Sequence, residues 1–179
     1  MKKILLLFIL LPFGVLNAQK LNVGIRIQKT QNMYWENGFS VQYAFKNFKP
    51  ERFHLGFDFV TSQLGSAFKS NAIKQSHFLI SGSWNFIQDK PFHLITRLNI
   101  GYFYSNLEYD FFDDIPNTAF LLSPEVAFSY AFQKQPVKLQ LGSGYYIDFA
   151  KAGYSPGTLQ PLYYHLDVYY TLFKSKNHE

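Results

Sequence analysis

From residue 21 onward the chain alternates between apolar and polar positions, residue by residue. Eight segments carry the period of two that marks a β-strand with two unlike faces: residues 21–28, 39–46, 53–60, 77–86, 92–104, 122–132, 137–149 and 162–173. In the first, Leu21, Val23, Ile25 and Ile27 interleave with Asn22, Gly24, Arg26 and Gln28. The last sets Leu162, Tyr164, Leu166, Val168, Tyr170 and Leu172 against Tyr163, His165, Asp167, Tyr169 and Thr171. No sustained helical face with a period of 3.6 is present. The connections alternate too. Residues 47–51, 87–91 and 133–136 are short and each contains a proline, which suits a turn or a strand start where no ladder donor is needed. Residues 30–37, 61–73, 106–119 and 150–161 are longer. Long connections first and last, with short ones between, predict eight antiparallel strands with both termini at the short-turn end. Pro124, inside the sixth segment, predicts a bulge or the end of that strand.

The composition of the two faces decides which one points outward. The apolar face holds no charged residue in any strand, and Thr96 and Ser143 are its only polar side chains apart from tyrosine and tryptophan. An eight-stranded barrel has an interior just wide enough for side chains to fill, so that many bulky groups do not fit inside. The other face mixes Gly24, Gly56, Gly101, Gly142, Gly144, Ala44, Ala127 and Ala131 with a few charges, as a tight polar lumen would. A charge at the bilayer midplane on the lipid face of a barrel costs about 2–4 kcal/mol, which accounts for the uncharged face. Unpaired backbone groups are not viable in lipid, so the sheet must close and its first and eighth strands must pair. The expectation is an all-β protein: an eight-stranded antiparallel up-and-down transmembrane β-barrel. Trp84, Tyr102, Tyr104, Tyr130 and Tyr170 stand near strand ends, where interfacial girdles form. The competing expectation is a soluble lipocalin-like ligand-binding barrel, with the apolar face inside.

Composition then sharpens the picture. Aromatic residues make up 20% of the 179 and charged residues 16%, below the roughly 25% of an average soluble domain. That excludes disorder, which needs few aromatics and much charge. There is no cysteine, hence no disulfide framework, thiolate metal site or cysteine nucleophile. At the N-terminus Lys2 and Lys3 precede a short apolar run over residues 4–11, and Leu16-Asn17-Ala18 ends in a small residue. This is the pattern of a cleaved secretory signal peptide over residues 1–18, leaving the barrel over residues 19–179. Without Lys2 and Lys3 the formal charge falls from +5 to +3, too little to imply a nucleic-acid partner.

The leader, the eight alternating strands, the short turns at one end and longer loops at the other resemble the small outer-membrane β-barrel proteins of the OmpA/OmpX type. The final strand, His165 to Phe173, is similar to the aromatic-ended terminal strand that the outer-membrane assembly machinery recognises, although Lys174 to Glu179 follow it. The resemblance implies an integral protein of the Gram-negative cell outer membrane, a monomer surrounded by lipid and lipopolysaccharide, with its long loops outside.

The inward charges are Arg26, Lys46, Asp58, Arg97, Glu125, Lys138, Asp148 and Asp167. Counted from the short-turn end, Arg26 is level with Asp167 and Arg97 is nearly level with Glu125, each on neighbouring strands. Because buried charges must be paired, Arg26–Asp167 and Arg97–Glu125 are expected as structural ion pairs that fill the lumen. A narrow gated pore is the functional alternative. A lipid-modifying barrel enzyme would need histidine, serine and acid groups reaching an acyl substrate. Here His54, His77, His93 and His165 fall on inward positions, while the outward hydroxyls Thr96 and Ser143 have no histidine beside them. No catalytic residues, cofactor site or metal site are assigned. Glu108, Asp110, Asp113 and Asp114 lie in one long connection without calcium-loop spacing and read as a solvated acidic loop. Tyr34, Trp35, Phe111 and Phe112 are loop aromatics suited to packing on the barrel rim. The function expected is non-enzymatic: envelope integrity or surface contact by a barrel with a filled lumen.

Overall fold

The structure, a computed structural model, describes residues 18–30, 35–45, 52–62, 73–86, 91–107, 118–149 and 161–174. The strands are β1 (Ala18–Thr30), β2 (Trp35–Phe45), β3 (Phe53–Thr61), β4 (Ile73–Asn85), β5 (Phe92–Leu107), β6 (Thr118–Ala131), β7 (Val137–Tyr145), β8 (Ile147–Asp148) and β9 (Leu162–Lys174). β1 to β6 each pair antiparallel with the next strand in the chain, β8 pairs with β6, β9 pairs with β7, and β1 pairs with β9, so the sheet closes without a free edge. β7 and β8 share one position in the wall, which makes eight staves.

The split between β7 and β8 has a chemical cause in β6. The amide of Tyr146 donates to the Pro161 carbonyl on the β9 side, and that of Phe149 donates to the Phe120 carbonyl on the β6 side. Directions alternate along a strand, so Tyr145 turns its amide and carbonyl toward β6. The residue facing it is Pro124, which has no N–H to donate. The β6 ladder therefore runs from Ala131 to Glu125 against β7, lapses, and resumes at Leu122–Ile147 in the same register. The sequence pattern predicts one continuous strand over residues 137–149. The alternation does continue through it, since Tyr145 and Ile147 are exposed and Tyr146 is buried.

At the long-connection end several strands run further than the alternation predicts. β2 begins at Trp35, β4 at Ile73 and β6 at Thr118, and β1 continues to Thr30. Beyond the uncharged band the outward positions no longer need to be apolar, so hydropathy loses its period while the hydrogen-bond ladder continues.

Burial follows the alternation with opposite meaning on the two faces. Outward Ile80, Phe128 and Leu172 are 66%, 66% and 60% exposed, whereas inward Leu79 and Ala127 are each 1% exposed. The inward side chains of the described strands are largely buried. Toward the long-connection end Leu79, Phe103, Ala119, Leu121, Tyr146 and Tyr163 pack as an apolar cluster. Polar and charged groups occupy the rest. Small inward residues stand beside large ones: Gly24 is opposite Tyr169, Gly142 opposite His165 and Gly144 opposite Tyr163. A β-carbon at Gly144 would run into the Tyr163 phenol, and one at Gly142 into the His165 imidazole.

Candidate functional site

The lumen holds the charged constellation. The register sets Arg26 directly opposite Asp167 and Arg97 directly opposite Glu125. In each of these pairs the nearest nitrogen and oxygen are 3.7 Å apart. The shorter contacts cross the barrel: Arg26 Nη2 reaches Glu125 Oε2 at 2.9 Å and Arg97 Nη1 reaches Asp58 Oδ2 at 3.2 Å. Arg26 also lies 3.7 Å from Asp58. His165 sits between two acids, with Nε2 2.9 Å from Glu125 and Nδ1 3.1 Å from Asp167, as charge contacts rather than aligned hydrogen bonds. All six side chains are almost wholly buried. Two arginines and three carboxylates balance when His165 carries its proton. The result is a continuous ionic lattice tying β1, β3, β5, β6 and β9, in place of two separate pairs.

Tyrosines knit this lattice together. The Tyr169 hydroxyl accepts from Arg97 Nη2 at 3.2 Å and from Gln42 Nε2 at 2.8 Å, meets Ser40 Oγ at 2.8 Å, and donates to Asp167 at 3.3 Å. The Tyr163 hydroxyl donates to Glu125 at 3.3 Å and lies 2.6 Å from Ser123 Oγ. Asn99 and Gln140 donate to Glu125 and Asp167. The face alternation places both tyrosines inside, yet it gives no sign that one phenol would join three strands across the lumen.

Polar groups continue on both sides of the lattice. Toward the short-turn end the Lys138 ammonium donates to Gln42 Oε1 at 2.6 Å and lies 4.4 Å from the centre of the Tyr169 ring. Toward the long-connection end Glu36 accepts from Gln28 at 2.7 Å and from Gln75 at 2.9 Å, with His77 Nδ1 3.8 Å away. The Tyr146 hydroxyl meets Gln28 and His77. Glu36 falls in a segment that reads as connection from sequence, and its inward position is visible only once β2 is known to start at Trp35. Trp35 itself is half exposed at that rim, with Lys29 Nζ 5.2 Å from its ring centre.

Among the described residues no group of three or more histidine, cysteine or acidic side chains has metal-binding geometry. Lys46, Tyr34, Phe111, Phe112 and the acidic residues Glu108, Asp110, Asp113 and Asp114 lie outside the described residues, as do residues 1–17 of the expected leader. Its expected last residue, Ala18, opens β1.

No protein-family model matches the chain, and no curated protein matches it by sequence. Solved structures do. The N-terminal β-barrel domain of Pseudomonas aeruginosa OprF is similar at a TM-score of 0.62 with 9% identity, over 87% of this chain and 98% of that one. The outer membrane protein OprG from the same organism gives 0.53 with 9% identity, over 89% and 98%. Neisserial surface protein A gives 0.50 with 14% identity, over 85% and 93%. The closed ladder, the bare apolar exterior and these likenesses make the fold that of the small eight-stranded outer-membrane β-barrels.

Proposed function

We propose that this protein is a non-enzymatic, monomeric barrel of the Gram-negative outer membrane whose lumen is closed to solutes. Its role is to strengthen the envelope or to present its long loops for surface contact. The observation that carries this reading is the buried lattice of Arg26, Asp58, Arg97, Glu125, His165 and Asp167, whose contacts cross the lumen between β1, β3, β5, β6 and β9. A path for ions would have to part several of these contacts at once, each of which would leave a buried charge unpaired at a cost of several kcal/mol. The leader-like N-terminus supports export, and the aromatic end of β9 supports insertion by the barrel-assembly machinery. The uncharged exterior suits surrounding lipid and, in the outer leaflet, lipopolysaccharide.

Recording from the refolded protein in a planar bilayer tests the closed lumen. A flat baseline is expected. Reproducible single-channel steps would contradict it.

A further inference from the structure

Within the uncharged band, below the rim positions Lys29, Asn37, Thr61, Lys74, Ser76 and Thr118, the outward face is bulky and apolar except at Gly82, Thr96, Pro124 and Ser143. In sequence these four are spread over β4, β5, β6 and β7. The register gathers them. Leu98 stands opposite Gly82 on one side and Pro124 on the other, while Val126 stands opposite Thr96 and Ser143. The four form the floor of a groove of about 800 Å³ in the outer wall, with Trp84 and Tyr145 also lining it. That size lies within the range of ligand sites.

The groove carries one backbone oxygen whose ladder donor is missing. The carbonyl of Tyr145 faces Pro124, whose ring nitrogen has no hydrogen to give. Ser143 Oγ, also on the floor, is satisfied by the Tyr163 carbonyl at 3.0 Å. Proline is otherwise confined to strand starts, edges and bulges.

We propose that this groove docks the acyl chain of a membrane lipid that carries a hydroxyl group on that chain. The proposal rests on the reading that the outward face lies in lipid. In hydrocarbon no water is at hand, and an unpaired carbonyl costs several kcal/mol. A plain acyl chain fills the apolar floor but leaves the partial negative charge on the Tyr145 oxygen unmatched. A chain hydroxyl supplies the complementary O–H. The groove thus selects among lipids by one hydrogen bond set in an otherwise apolar contact.

The chain has two tryptophans, so Trp35→Phe leaves Trp84, on the groove, as the sole reporter. This variant is refolded into phosphatidylcholine vesicles containing either of two brominated lipids. They match in chain length and bromine position, and only one bears a chain hydroxyl. The hydroxylated lipid is expected to quench Trp84 at a mole fraction about three- to tenfold lower, as one net hydrogen bond implies. Pro124→Val and Pro124→Ala each restore an N–H opposite Tyr145. Each is expected to shrink the difference, and either variant suffices should the other fail to fold. Equal quenching by the two lipids, or a preference unchanged in the variants, would overturn docking and leave the lipid-facing assignment intact. Weak quenching by both lipids in a protein that sediments as a dimer would assign the groove to a second copy instead. Trp84 quenched by aqueous acrylamide and by neither lipid would overturn the lipid-facing reading itself.

Discussion

Glu125 is the residue on which the lumen converges. Its carboxylate takes contacts from Arg26, Arg97, His165, Asn99 and Tyr163, drawn from three strands besides its own. Removing one member of a buried ion pair typically costs about 3–5 kcal/mol, because the partner charge stays buried. Glu125→Gln is therefore expected to lower the free energy of unfolding from vesicles by an amount of that order, read by urea titration. An unchanged midpoint would mean that the lattice contributes little. Gly144 is the complementary case, since its missing side chain makes room for the Tyr163 phenol. Gly144→Val is expected to destabilise the barrel by about 1–3 kcal/mol through overpacking, in the same titration. Only part of this was legible in the sequence. Alternation assigns Arg26, Asp58, Arg97, Glu125 and Asp167 to the inside, and counting along the strands relates their heights. It cannot give reach. Arg26 meets Glu125 across the lumen at 2.9 Å because the barrel is narrow and the guanidinium long, and that depends on closure rather than on any local pattern.

At the scale of the strand, Pro124 is the informative exception. A period of two predicts the position and face of every stave, because one face must be apolar throughout the uncharged band. It does not predict the lapse between β7 and β8, since hydropathy records side chains and the lapse is a missing backbone donor in the partner strand. Pro124→Val restores that donor and is expected to raise stability by about 0.5–1.5 kcal/mol, with slow hydrogen exchange at the new amide. A rapidly exchanging amide at residue 124 would show that the ladder stays open for another reason. The predicted strand ends were short at Trp35, Ile73 and Thr118 for the opposite cause, because there the ladder outlasts the hydropathy signal. The four small outward residues are legible singly, and their gathering into one groove required the register.

The whole molecule inverts the arrangement of a soluble domain. Polar and charged side chains such as Arg26, Gln28, Glu125 and Asp167 are packed inside, and apolar ones such as Ile25, Ile80, Phe128 and Leu141 stand bare outside. Such a surface far exceeds the apolar patches that soluble monomers tolerate, so it needs an apolar solvent. The low charge content and high aromatic content of the chain follow from the same inversion. The central claim is that this exterior lies in a bilayer, and the most direct measurement places one charge on it. Leu98→Arg and Val168→Arg each put a guanidinium on the outward face near mid-stave. After refolding into vesicles, folded protein is read by heat-modifiable gel mobility across a urea series. The account predicts a loss of about 2–4 kcal/mol for each variant. Folding and urea midpoints equal to those of the parent protein would contradict it.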